Sequence, residues 1–410
     1  MSEVLFYVII TIVVIDFLFE KVLDLLNDRR KSPQMPEAAK GIYDEERYAK
    51  WLAYDKANGR LGMLSSSVNI ILILSVLIFG GFGWLDAWLR TFTEQPVPLA
   101  LLYFAVLSGL SSIINLPFSL YGTFVIEERF GFNRTTVKTF VMDMLKGIGL
   151  SLVIGAPLGA LIIWIYYSLG EHFWWVAWLI LSGFSLIMTM FAASWIMPLF
   201  NKFTPLEEGS LRSSIEAYCA KVGFQLSRLF VIDGSKRSAK SNAFFSGLGP
   251  KKTIALYDTL LDQLVEQEVV AVLAHEIGHY KKQHIAQGLV LSTLQTGVML
   301  FILGVFLRMP AFSAALGASE ASFHVGIIAF GIVFSPISTL IGIAMNILSR
   351  KNEFEADAYA RTTYNGEALG AALKKLTAEN LGNLTPHPAY VFVHYSHPPV
   401  LKRLERLTNP

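Results

Sequence analysis

Two histidines four residues apart flank a glutamate in the run Ala274-His275-Glu276-Ile277-Gly278-His279. On a helix, residues at that spacing share one face. The two imidazoles can therefore grip one cation while Glu276 stands beside them to take a proton from water. Zinc (Zn2+) suits this donor set. Neutral imidazole ligates it at physiological pH, and the bound ion activates water and polarises a carbonyl. With 8 histidines in 410 residues, chance gives such a pattern in about 0.8% of chains. The preceding Val269-Val270-Ala271-Val272-Leu273-Ala274 is apolar, which implies a buried helix. Buried histidines and a buried glutamate need partners, and one metal serves all three.

A catalytic zinc takes three protein ligands. The elongated pattern of His-bearing sites requires glycine at 282 and histidine at 285, where this chain has Lys282 and Ile285. His284 comes one residue early, and on a continued helix it points away from His275. The better third ligand lies beyond a later apolar run, in Arg350-Lys351-Asn352-Glu353-Phe354-Glu355-Ala356-Asp357. Glu353 and Asp357 are four apart and share a face, while Glu355 points elsewhere. The expectation is a site of two histidines and one glutamate. His275, His279 and Glu353 hold the metal, Asp357 orients a ligand histidine from behind, and Glu276 is the general base of peptide hydrolysis.

The elements around these residues belong to a membrane. The chain is 53% hydrophobic and 16% charged, against about 25% charged for a soluble protein, and mean hydropathy is +0.48. Net charge is +2, which gives no reason to expect nucleic acid as a partner. The single Cys219 excludes an intramolecular disulfide and a cysteine zinc cage. A membrane-crossing helix needs about 20 mostly apolar residues. Seven runs qualify: 4–26, 64–85, 98–120, 145–168, 173–199, 285–308 and 323–348. The first reads as a span rather than a cleavable signal, because its basic cluster Arg29-Arg30-Lys31 follows the apolar run. Connecting segments alternate in Lys and Arg content, which places the N-terminus outside and the C-terminal tail in the cytoplasm. Asp16, Asn69, Asn115 and Asn346 within the spans imply helix-pairing contacts or a water-filled interior. Gly155, Pro157, Gly159 and Pro336 imply kinks.

The predicted organisation is therefore spans one to five in 1–199, a first cytoplasmic part in 200–284, spans six and seven in 285–348, and a second cytoplasmic part in 349–410. The first part carries a small antiparallel sheet, from short runs at Leu229–Ile232, Ala243–Phe245 and Thr253–Tyr257, then one long helix from about Leu260 to Gln283. Asn242 opens a run that fits an edge strand, to which an extended peptide can pair.

Five stretches, in order, carry a family likeness: Ile126–Asn133, Asp233–Ala243, His275–His279, Glu353–Asp357 and Ser396-His397-Pro398-Pro399. Across nearly its whole length the chain resembles the integral-membrane zinc metalloproteases called type I CAAX prenyl proteases. The resemblance implies seven long helices around a large water-filled chamber, closed on the cytoplasmic side by the zinc domain. It implies zinc on His275, His279 and Glu353, a substrate-backbone contact at Asn242, stabilisation of the tetrahedral intermediate by His397, and a basic residue, Arg403, near the substrate. The expected partners are a peptide or protein substrate, prenylated or membrane-associated, and the lipid bilayer, with the protein a monomer. In eukaryotes the family removes three residues after a prenylated cysteine. The short sixth loop and the end Leu407-Thr408-Asn409-Pro410, without a lysine-based retrieval signal, fit a bacterial member whose duty is general membrane proteolysis. The expected location is then the inner membrane, and the endoplasmic reticulum for a eukaryotic member. The competing classes are a zinc transporter or channel and a catalytically dead scaffold. Glu276 beside the ligands and the intact motifs argue against both.

Overall fold

The computed structural model describes residues 2–226, 228–246 and 253–408. From the N-terminus run α1 (Ser2–Arg29), α2 (Glu45–Ile78), α3 (Gly81–Arg90), α4 (Pro96–Tyr121), α5 (Val137–Leu150), α6 (Ala156–Leu169), α7 (Phe173–Trp195) and the single turn α8 (Met197–Phe200). A mixed region follows with β1 (Phe203–Pro205), α9 (Ser210–Lys221), β2 (Arg228–Ile232), β3 (Ala243–Ser246), β4 (Thr253–Tyr257), α10 (Asp258–Gln263) and α11 (Glu266–Lys281). The chain continues through α12 (His284–Phe306), α13 (Pro310–Ala315) and α14 (Phe323–Ala360), and ends with α15 (Gly366–Glu379), α16 (Pro388–His394) and α17 (Val400–Thr408).

Among the described residues, six helical runs are long and apolar enough to cross a bilayer. The expected fourth and fifth spans fall in one of them, Val137–Phe200. There a π-helical turn, Ser151–Gly155, joins α5 to α6, and a 3-10 turn, Gly170–His172, joins α6 to α7. The expected second span, 64–85, is too long. Helix α2 stops at Ile78, Gly80 takes a left-handed φ of 64°, and α3 leaves in a new direction. Glycine is also required at position 83, where a Cβ would fall 2.0 Å from the carbonyl oxygen of Gly317. The polar residues of the spans find protein partners. Asp16 accepts from the Ser335 hydroxyl, Asn69 Nδ2 lies 3.3 Å from Asn115 Oδ1, and Asn346 Nδ2 lies 2.7 Å from the Val393 carbonyl.

The sheet has the order β1-β2-β4-β3 and is mixed, not antiparallel as expected. Strand β2 pairs parallel with β4, from Arg228 opposite Thr253 to Ile232 opposite Tyr257, while β1 pairs antiparallel with β2 and β3 antiparallel with β4. The short apolar runs are strands, but the segment 233–242 carries the chain past β4 before β3 forms, so β2 and β3 are not neighbours. The expected long helix also divides. Helix α10 ends at Gln263, Leu264 is extended, and α11 starts afresh. Glu266 and Glu268 in its first turn favour that start through the helix dipole, and Glu268 accepts the Val265 N–H at 3.0 Å.

One hydrophobic core joins the two distant stretches of chain. It gathers Ile215 and Tyr218 of α9, Ile254 and Leu256 of β4, Val269–Ala274 of α11, Ala360 of α14, Leu369 and Ala372 of α15, and Leu407 of α17. Cys219 lies in it as a free thiol, pushed up to about 11 by burial. Two of the family-like stretches dock on each other. The Ala239 N–H donates to the Phe132 carbonyl at 3.0 Å, and the Arg134 N–H to the Arg237 carbonyl at 3.0 Å. The Arg237 guanidinium grips Asp143 through two bonds of 2.7 and 2.9 Å. Lys240 reaches Tyr54 of α2 at 2.8 Å and Glu127 at 3.1 Å. The segment leading into β3 is thus fixed by the ends of the apolar helices.

Candidate metal centre

Helix α11 is apolar over Val269–Ala274 and buried along most of its length, as the middle of a helix enclosed by other elements must be. Its tightest approach is to α14. A Cβ at Gly278 would stand 3.1 Å from Ala356 Cα and 3.2 Å from the Ala356 carbonyl oxygen. Any side chain there would push the two backbones apart, by a few tenths of an ångström for a methyl group and by more for a larger one. The approach brings the His275–His279 face of α11 against the Glu353–Asp357 face of α14.

Three side chains converge at that contact. His275 Nε2 and His279 Nε2 are 3.1 Å apart. Glu353 Oε2 lies 3.4 Å from the first and Glu353 Oε1 3.2 Å from the second. A tetrahedral cation with bonds of about 2.0–2.1 Å has donor atoms roughly 3.3 Å apart, and these separations match it. Glu353 Oε2 is buried and makes no hydrogen bond, its nearest polar neighbours, His275 Nε2 and Arg403 Nη1, standing 3.4 Å away, so it keeps a lone pair for a cation. Among the described residues, His275, His279 and Glu353 form the one group of histidine and carboxylate donors placed to hold a metal. The residues present fit the ion.

The second nitrogen of each histidine is also engaged. His275 Nδ1 lies 2.9 Å from Asp357 Oδ1. Asp357 is clamped by Arg403, whose Nε and Nη2 reach its two oxygens at 2.8 and 2.6 Å. Burial pushes the His275 imidazole toward neutrality, but the neighbouring Asp357 and Glu353 carboxylates outweigh this and raise it to about 9. Arg403 lies behind the three donors and is buried. Its Nη1 is 3.4 Å from Glu353 Oε2. Around the other histidine, His279 Nδ1 lies 3.0 Å from His284 Nδ1, and His284 Nε2 lies 3.2 Å from Glu355 Oε2.

Neither His284 nor Glu355 is expected from the helical wheel. The wheel assumes that α11 runs on through His284, but the helix ends at Lys281 and Gln283 takes a left-handed φ of 60°. His284 then opens α12 on a new axis and swings back to His279. Glu355, which points away from the Glu353 face, points at His284 instead. No glycine or proline marks this break, so the sequence carries no local signal for it.

Glu276 is half-buried. Burial raises its pKa, against the opposing pull of His275 and His279. It lines a cavity of about 330 Å3 with His279, His284, Met345, Leu348 and Asn352, so the space beside the donors opens toward α12 and α14. His397 lies on the open side, 64% exposed, with Nε2 3.3 Å from Glu353 Oε1. The turn that bears it hangs from α14. Arg350 Nη1 donates to the carbonyls of Tyr395 at 2.5 Å and Val391 at 3.1 Å. Asn242 immediately precedes β3, the edge of the sheet, and its carbonyl accepts the Tyr257 N–H at 3.2 Å.

Known proteins resemble this chain over nearly its whole length. Residues 25–202 match the family described as CAAX prenyl protease N-terminal, five membrane helices, and residues 205–410 match peptidase family M48. A protein of Oryza sativa subsp. japonica named CAAX prenyl protease 1 homolog is 35% identical over 412 residues, covering 98% of this chain and 96% of its own. CAAX prenyl protease 1 of Saccharomyces cerevisiae is 34% identical over 418 residues, covering 95% and 92%. The crystal structure of S. mikatae Ste24p superposes with a TM-score of 0.92 at 32% identity, covering 98% of this chain and 99% of that one. The chain belongs to peptidase family M48 together with the CAAX prenyl proteases, and is a multi-pass integral membrane metalloprotease.

Proposed function

We propose that the protein is a zinc endopeptidase acting on peptides admitted from the membrane. The observation that carries this reading is the convergence of His275, His279 and Glu353 next to a cavity lined by Glu276. When bound there, zinc supplies Lewis acidity, lowering the pKa of a water and polarising the scissile carbonyl. Glu276 takes the proton of the attacking water as the new C–O bond forms, and returns it to the leaving amine as the C–N bond breaks. A carboxylate with a raised pKa is suited to both transfers. His397, exposed on the open side, donates to the carbonyl oxygen as negative charge develops. The edge of β3 and Asn242 hold the substrate backbone extended. Asp357 holds His275, and Arg403 acts on Asp357 rather than on substrate.

The wider reading has seven spans, counting α6 and α7 as separate crossings, around a water-filled chamber. Residues 108–113 of α4 are exposed without interruption, and six consecutive positions cover every face of a helix. One side of α4 then meets lipid and the other an open interior. A cavity of about 1160 Å3 lies along it, lined from Leu101 to Leu116 of α4 and from Met144 to Ile163 across α5 and α6. The zinc domain, built from 200–284 and 349–410, faces the cytoplasm, with the N-terminus outside. The substrate is a prenylated CAAX protein or a membrane-associated polypeptide, cleaved by a monomer that has no nucleic acid partner.

The decisive variant is Glu276→Gln. It should keep zinc and lose peptide cleavage by at least about a hundredfold. Wild-type turnover by the zinc-loaded variant would end the proposal. Comparing a farnesylated CAAX peptide with its unprenylated twin tests the substrate: equal cleavage favours general membrane proteolysis.

A further inference from the structure

The contacts behind His279 form a chain of their own. Glu355 Oε2 faces His284 Nε2 at 3.2 Å, and His284 Nδ1 faces His279 Nδ1 at 3.0 Å. With His284 neutral, one proton arrangement satisfies both links. A carboxylate can only accept, so His284 carries its hydrogen on Nε2. A neutral imidazole with hydrogen on Nε2 offers a lone pair at Nδ1, so His279 must donate from its own Nδ1. That leaves the lone pair of His279 on Nε2, the atom that faces His275 and Glu353.

We propose that His284 and Glu355 are a positioning relay that fixes the tautomer and aim of His279. The assignment rests on His279 being a metal ligand, and it gives this ligand the orienting support that Asp357 and Arg403 give His275. The relay also couples the centre to the apolar helices. His284 is the first residue of α12, and Glu355 lies on α14 beyond its apolar stretch. One turn along, Asn352 of α14 donates to Gln287 of α12 at 2.9 Å, so the same two helices are tied beside the relay. His284 is buried while Glu355 is 40% exposed. Orienting partners of metal-ligating histidines are worth about ten- to a hundredfold in metal affinity.

The test measures cobalt(II) and zinc dissociation constants by chelator competition, with the full-length protein in detergent. His284→Leu should weaken binding by about ten- to a hundredfold and alter the cobalt(II) absorption spectrum. His284→Asn, whose amide oxygen replaces the Nδ1 acceptor, should recover most of the loss. Glu355→Leu, at a partly exposed position, should fall between wild type and His284→Leu, and it carries the test if His284→Leu fails to fold. Wild-type affinity in both leucine variants, with binding abolished in His279→Ala, would overturn the relay and leave the metal centre intact. Unchanged binding in His279→Ala would instead overturn the metal centre on which the relay rests. A loss in His284→Asn equal to that in His284→Leu would show packing rather than hydrogen bonding, and would also overturn it.

Discussion

The two histidines proposed to hold the metal occupy regions of opposite character. His275 is buried against Asp357, which is locked by a buried arginine through two charge-assisted bonds. His279 lies at the rim, behind it a neutral histidine and a partly exposed glutamate, and beside it a cavity and the exposed His397. The inner half is built of charges that cannot leave without exposing each other. The outer half is built of polar contacts near solvent. Such a division gives a metal site a rigid back and an accessible front, which hydrolysis of a long substrate requires.

The comparison breaks most visibly at Asp357. Asp357→Ala leaves the Arg403 guanidinium buried with only the longer approaches to Glu353 and His275. Removing one partner of such a pair costs about 3–5 kcal/mol. The expected outcome is a lower melting temperature in detergent and loss of bound metal on purification. A fully metallated, thermally unchanged variant would show that the inner half is not the firmer one.

Next in size is the contact that creates both halves. Gly278→Leu forces a side chain into the Ala356 backbone, and overpacking of this kind costs about 1–3 kcal/mol. It should separate the Glu353 face from the histidines and weaken metal binding, measurable by chelator competition. Gly278→Ala, whose Cβ needs only small adjustments at 3.1 Å, should weaken it less. The outer half answers differently. His397→Gln should keep its metal and its stability, yet lose about a hundredfold in kcat with little change in KM. Metal loss in that variant would move His397 to the inner, structural group.

These residues also show what could be read before the fold was known. The four-residue spacings of His275 with His279 and of Glu353 with Asp357 reach across a single helix, so local geometry carries them. The membrane character is equally local, a matter of apolar run length. The mixed sheet was not legible, because parallel pairing of β2 with β4 depends on the path of 233–242 over the ends of the apolar helices. The relay was not legible either. It depends on a left-handed Gln283, a residue with no intrinsic claim to that conformation, so a wheel drawn through it loses phase. The stop of α2 at Ile78 had a signal, the pair Gly80-Gly81, hidden within an apolar run.

The smallest expected effect is a count of protons, and it belongs to the inner half. In the metal-free protein His275 is raised to about 9 from its ordinary 6.5, with Asp357 and Glu353 overcoming the effect of burial. A raised folded value means that the protonated histidine stabilises the metal-free fold. This contribution is complete below pH 6.5 and is lost as pH rises through 9. A metal at Nε2 must displace a proton from the charged ring. Binding near neutral pH should therefore release about one proton from His275, and the release should fade above pH 9. Calorimetry in buffers of different ionisation enthalpy measures it. Asp357→Asn, studied at saturating metal, removes a principal cause of the raised value and should reduce the release. A release that is the same in Asp357→Asn would move the proton off His275 and weaken the distinction between the two halves, because the charged back of the site would then leave no mark on the ligand it holds.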